Sequence, residues 1–245
     1  MGAKTRLLVM SAWGSDKVFG DLYDTVFQHG FTGWSKRVNL FSLALGPEDT
    51  IVLEGGTDIN PNFYDQRPCR WTQRPDTQRD AMENAMIKKG MEAGANFLGI
   101  CRGAQFLTAV AGGELIQHVS GHTHGAHPIK LLDGRKILTN SFHHQMMFPF
   151  GLPEKEYKIL AHVENALSND YIIEGNKDIS EVLPKEFVEI EMIWYPEIKA
   201  LGIQGHPEFV ATQSYSRLSM DNPLADFVVH SRNLVKEYIL NDIPV

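Results

Sequence analysis

A short apolar run, Ala95-Asn96-Phe97-Leu98-Gly99-Ile100, ends on Cys101, and a helix-forming segment from Ala104 to Val110 follows almost at once. A strand that turns so directly into a helix puts the intervening residue on a sharp corner at the carboxyl edge of a sheet. That corner limits the fold more than any other feature, because it suits an open α/β sheet flanked by helices. Gly99 and Gly103, two residues to either side, let the turn close without side-chain clashes. Cys101 then stands at a helix N-terminus, where unpaired N–H groups and the helix dipole favour a thiolate. The backbone N–H of Arg102 points at any oxyanion formed there. The same residues also fit an ordinary strand–helix junction with an inert thiol.

A second string, Gly205-His206-Pro207-Glu208, follows another apolar run, Ala200 to Gln204. It places His206 at the same carboxyl edge, where ligands gather in open α/β folds. Pro207 ends the strand, and Glu208 can turn back to the imidazole. Cysteine, histidine and carboxylate together are the parts of a nucleophilic triad. The thiolate attacks, the imidazole moves the proton, and the carboxylate holds its tautomer. Either string alone is weak evidence of chemistry; the pair is specific.

Four segments, in order, resemble the class I glutamine amidotransferase-like superfamily and, within it, the γ-glutamyl hydrolase branch (peptidase C26). They are Ile51 to Pro61 with Phe63-Tyr64, Leu98 to Leu107 continuing to Gly112–His118, Asn140-Ser141-Phe142-His143-His144-Gln145, and Gly202 to Glu208. The resemblance implies a flavodoxin-like, mainly parallel sheet with an added antiparallel hairpin. It implies a cysteine hydrolase of γ-glutamyl amide bonds, with Cys101, His206 and Glu208 as the catalytic set. The N–H groups of Gly56 and Arg102 would form the oxyanion hole. Gln105, one helical turn after Cys101, and one of His143 and His144 would hold a small-molecule γ-glutamyl substrate. The branch needs no metal and no other cofactor. A glutaminase subunit serving a separate synthetase stays open as an alternative, as do a homodimer and an idle binding protein on the same scaffold. Gly205 stands where the branch usually has an aromatic residue, which implies a more open pocket wall, and Asp65-Gln66 replaces the usual Gly-Glu.

With 245 residues, 43% of them apolar, the chain can bury a full core in one domain over 1–245. A formal net charge of −7 offers no basic patch for nucleic acid. Two cysteines, Cys69 and Cys101, are too few for a disulfide framework. No apolar run approaches membrane-spanning length, and Leu7-Leu8-Val9-Met10 is too short for a signal-peptide core. These features fit a cytoplasmic enzyme.

The remaining pattern predicts a strand over Arg6–Met10, a helix over Asp21–Gln28, and strands over Val38–Leu43 and Thr50–Leu53. Asp76 to Ala93 reads as the clearest helix, and Leu224 to Leu240 as the last one. Glu186 to Trp194 alternates and forms a hairpin with the His206 strand. His118, His122, His124 and His127 have spacings that resemble metal ligands, but Gly121, Gly125 and Pro128 among them read as a mobile loop beside the pocket. Arg67, Arg70, Arg74 and Arg79 read as a solvated face.

Overall fold

Runs such as Leu7-Leu8-Val9 and Ile51-Val52-Leu53 have no polar face, so they are stable only in a sheet covered on both sides. The computed structural model describes residues 5–10, 14–23, 25–28, 42–213 and 222–241. Strands β1 (Arg6–Val9), β2 (Thr25–Gln28), β3 (Asp49–Leu53) and β4 (Asn96–Ile100) are parallel, in the order β2-β1-β3-β4. Helices α1 (Ser15–Phe19), α2 (Thr77–Ala93) and α3 (Arg102–Val110) fall between or after them.

The later strands are β5 (Glu114–Ile116), β6 (His118–Val119), β7 (Ala126–Leu131), β8 (Lys136–Asn140), β9 (Met146–Phe148), β10 (Lys158–Val163), β11 (Tyr171–Ile172), β12 (Ile190–Tyr195) and β13 (Ala200–Ile203). β13 joins β4 in parallel, and β12, β10, β7 and β8 continue the sheet antiparallel. Two small sheets, β11 with β6 and β5 with β9, lie beside it. The expected open parallel sheet is there, and its antiparallel side is larger than one hairpin. Helices α4 (Pro207–Gln213) and α5 (Ala225–Leu234) follow, and a π-helical turn over Val235–Ile239 continues α5.

Alternate residues of each central strand face opposite sides. Leu7, Val9, Val52, Leu98 and Ile203 pack with Phe19 and Phe227 on one face. Leu8, Ile51, Leu53 and Phe97 pack with Met86, Ala104 and Phe106 on the other. Both layers are dry, as a covered parallel sheet demands. Asp76 caps α2 by accepting from Arg79 N at 3.0 Å, and Gly94 ends it with φ 71°.

The helix expected over Asp21–Gln28 is absent. Gly20–Leu22 is one 3-10 turn, and Thr25–Gln28 is β2, paired in register with β1. Thr25 and Val26 are β-branched and Phe27 is aromatic, types that favour strand over helix. The strand expected over Val38–Leu43 lies, up to position 41, outside the described residues, and Ser42 and Leu43 are not in a strand.

Candidate active site

Cys101 leaves β4 with φ 50° and ψ −108°, a sparsely populated conformation that costs a non-glycine residue about 1–3 kcal/mol. Packing imposes it. A Cβ at Gly99 would lie 2.5 Å from the backbone N of Ala104, and one at Gly103 would lie 2.0 Å from the carbonyl O of Leu53. Any larger residue at either position would push α3 away from the sheet. The Cys101 N–H donates to Ile203 O at 2.8 Å, which pins the corner to the neighbouring strand.

Ile100 lies opposite Ile203 in the parallel ladder, so the residues after β4 and β13 emerge at one edge. The Cys101 thiol and the His206 imidazole meet there closely enough to interact electrostatically. Nδ1 of the same ring is 2.7 Å from Glu208 Oε1, and Glu208 is 1% exposed in the first turn of α4. Burial opposes the charged ring, but Cys101 and Glu208 together outweigh it, and the His206 pKa is pushed up to about 10. The imidazole stacks on Phe209 with centroids 4.3 Å apart and planes 6° apart. Phe142, largely exposed, meets its edge at 6.2 Å.

Asn140, at the end of β8, holds the His206 peptide from both sides. Its Oδ1 accepts from His206 N at 2.6 Å, and its Nδ2 donates to His206 O at 2.7 Å. Gly205 makes this approach possible. A Cβ there would lie 2.4 Å from Thr139 Oγ1, 2.8 Å from Phe227 Cζ and 3.0 Å from Asn140 O. The more open pocket wall expected from Gly205 is therefore corrected: Phe227 and β8 fill that space.

The glycine loop after β3 lies against both partners. A Cβ on Gly55 would lie 2.6 Å from His206 Cε1, and one on Gly56 would lie 3.3 Å from Arg102 Cδ. Arg79 holds this loop by donating to Glu54 O at 2.9 Å and Gly55 O at 2.8 Å. Its Nε donates to Glu83 at 2.8 Å, and Glu83 also pairs with Arg102, which in turn pairs with Asp80. Arg79, Asp80, Glu83 and Arg102 are all buried, so Arg79 is no part of a solvated face as its sequence neighbourhood suggested. Two cations and two anions balance, and they link the glycine loop to the residue after Cys101.

The peptidase C26 family model matches residues 36–208, which contain Cys101, His206 and Glu208. The chain belongs to the peptidase C26 family. Protein NtpR of Enterococcus hirae is 27% identical over 203 residues, covering 74% of each chain. A glutamine amidotransferase-like protein of Lactococcus lactis is 28% identical over 160 residues, covering 65% of this chain and 66% of its own. The crystal structure of a glutamine amidotransferase from Thermotoga maritima superposes with a TM-score of 0.53 at 14% identity, over 98% of this chain and 96% of that one. This last likeness concerns the fold. Membership makes this a protein of a cysteine-type amidotransferase and hydrolase family, and among the described residues no helix is long and apolar enough to cross a membrane.

Other residues singled out in this C26 chain lie in two places. Gln105 is buried, and its Nε2 donates to Gln145 O at 3.1 Å and approaches Gln204 Oε1 at 3.4 Å. His143 is 4% exposed and turns inward, with Nδ1 2.9 Å from Gln145 O and Nε2 3.6 Å from Glu191. Burial lowers its pKa, which keeps the ring neutral. Of the two adjacent histidines, His143 is thus the one turned inward, toward Glu191. His144 turns the other way, to Asp58 Oδ1 at 3.0 Å, beside the stacked Trp71 and His118 rings. Adjacent residues of extended chain point to opposite sides, and here the partly exposed one is His144. His122 and His127 are buried, and His127 lies in β7. Cys69 is buried too, its N–H donating to Gln117 Oε1 at 2.8 Å.

Sequence reasoning passed over Asn140, Arg79 and Glu83. Asn140 lay inside a motif read for its histidines. Arg79 and Glu83 carried an i, i+4 signal at the start of α2, but that pattern is usually a surface pair.

Proposed function

We propose that this protein hydrolyses γ-glutamyl amide bonds on its own, through a γ-glutamyl thioester on Cys101. The observation that supports it most is the imidazole of His206, held by Glu208 at the sheet edge where it interacts electrostatically with Cys101. The thiolate adds to the amide carbon, and the oxyanion accepts the N–H groups of Gly56 and Arg102. The imidazolium gives its proton to the leaving nitrogen, the C–N bond breaks, and the amine departs. Once sulfur is acylated, the negative charge that supported the imidazolium is gone. The ring can then take a proton from water, which attacks the thioester and returns Cys101 as thiolate. Glu208 holds the tautomer through both steps, and Asn140 holds the His206 peptide.

The buried ion network around the glycine loop favours a hole formed without a partner. The test is turnover of glutamine and of several N-substituted γ-glutamyl amides by the purified chain. Hydrolysis of at least one by the chain alone is expected. If all are inert until a second protein is added and glutamine then reacts, the chain is a glutaminase subunit.

The raised His206 pKa has a pH signature. Its imidazolium persists up to about pH 10, so its pairing is complete below the ordinary histidine value and is lost as pH rises through about 10. The alkaline limb of kcat/KM is therefore expected near pH 10. Glu208→Gln removes one support and should move that limb to lower pH, with a smaller loss of rate than His206→Ala. An alkaline limb near pH 6.5 in the unaltered chain would show that His206 is not held charged.

A further inference from the structure

The thiol chemistry makes no use of His122, His127, Glu189 and Glu191, buried on the antiparallel side of the sheet. His122, His127 on β7 and Glu191 on β12 each offer one ligand atom, and these atoms lie within 4.8 Å of one another. All three residues are buried. His127 Nε2 is 3.0 Å and His122 Nδ1 is 3.5 Å from Glu191 Oε1, and His143 Nε2 is 3.6 Å from the same oxygen.

Counting protons leaves this cluster short of positive charge. Glu189 accepts from Leu167 N, Ser168 N and Tyr171 OH, which marks it as a carboxylate. His122 Nε2, 3.1 Å from it, must therefore donate. Nδ1 of the same ring faces Glu191 Oε1 at 3.5 Å, where a ring bearing a single hydrogen presents a lone pair. The Ser141 hydroxyl, 3.5 Å from that nitrogen, already gives its proton to His122 O at 2.7 Å. His143 repeats the pattern. Its Nδ1 faces a carbonyl and must carry the hydrogen, and its Nε2 has no hydrogen-bond partner among the described residues. Glu191 Oε2 has none either. Lone pairs aimed at a buried carboxylate repel unless a cation lies among them. Every ion-pair partner of Glu189 and Glu191 among the described residues is a histidine, so no lysine or arginine supplies that charge.

We propose that His122, His127 and Glu191 bind a divalent transition-metal ion of the zinc type, with His143 available as a fourth ligand. Tetrahedral zinc with ordinary nitrogen and oxygen bonds separates its ligand atoms by about 3.3 Å. The contacts of 3.0, 3.5 and 3.6 Å on Glu191 Oε1 bracket that value. Glu189 on His122 and the Gln145 carbonyl on His143 are the outer partners that orient metal-binding imidazoles. The ion would tie β7 and β12 to the 140–145 segment, whose Asn140 holds His206. Its role is structural.

The test does not depend on the hydrolase reading. It uses Cys101→Ala protein, which removes the thiol that would itself capture zinc beside His206. After dialysis against a chelator, the protein is titrated with zinc chloride by calorimetry. One equivalent should bind and raise the thermal midpoint. His127→Ala or Glu191→Gln, added to that background, should weaken binding by about 100-fold or more. X-ray absorption of the zinc-loaded Cys101→Ala protein reads the ligand set with no further change, and at least two imidazoles and no sulfur are expected. No zinc on the folded protein, undiminished binding after both substitutions, or a sulfur ligand would overturn the proposal. In the first case the cluster holds protons instead.

Discussion

Cys101→Ala is expected to lower turnover of a γ-glutamyl amide by about 10⁴-fold or more, to the level of uncatalysed hydrolysis plus binding. Cys69→Ala is expected to leave turnover close to that of the unaltered chain. Exposure does not separate the two thiols, since Cys101 is 7% and Cys69 is 6% exposed. Surroundings do. Cys101 stands at the N-terminus of α3 and interacts electrostatically with a histidine held charged, whereas Cys69 lies near Thr72 and the Gln117 carbonyl. A nearby positive charge raises the thiolate fraction, and the thiolate is what reacts. Iodoacetamide at neutral pH should therefore label Cys101 first. Activity surviving in Cys101→Ala, or preferential labelling of Cys69, would remove Cys101 from the chemistry.

Glu83→Gln is expected to cost about 3–5 kcal/mol of folding stability, read from the urea midpoint and slope. Glutamine keeps the volume, so the loss comes from charge and not from a cavity. Glu83 is fully buried and is shared by Arg79 and Arg102, whose side chains are 9% and 1% exposed. Without it, Arg102 keeps only half of its carboxylate pairing and Arg79 loses its i, i+4 partner. Disturbing Arg79 also loosens its grip on Glu54 O and Gly55 O, so kcat should fall more than KM changes. The surface pair Arg135–Asp133 serves as the control, and Arg135→Gln should leave both midpoint and rate unchanged. A small stability loss with kcat retained would mean the network does not hold the glycine loop.

Much of the site could be read from local sequence because its geometry is set locally. Gly-Ile-Cys-Arg-Gly between a strand and a helix admits one kind of turn, and that turn is present with a strained Cys101. Gly-His-Pro-Glu at the end of a second strand puts a carboxylate two residues from an imidazole, close enough to meet it. The open α/β fold and the meeting of the Cys101 and His206 strand ends at one edge follow from such short-range constraints. Where local preference was ambiguous, as over Thr25–Gln28, the reading failed, and pairing with β1 decided the outcome.

Side-chain direction within a motif, and partners distant in sequence, were beyond local reasoning. Which of His143 and His144 turns inward depends on what waits on each side, Glu191 for one and Asp58 for the other. The space at Gly205 is set by Phe227 and Thr139, which arrive from other elements. His122 and His127, in a loop-like pattern, looked unlike a ligand set because the carboxylates they meet, Glu189 and Glu191, arrive some sixty residues later. The sequence alone determined most of the central strands, the corner at Cys101 and the placing of His206 beside Glu208. Only the tertiary structure decided which polar groups are buried together, because burial and charge balance depend on every element packed around them.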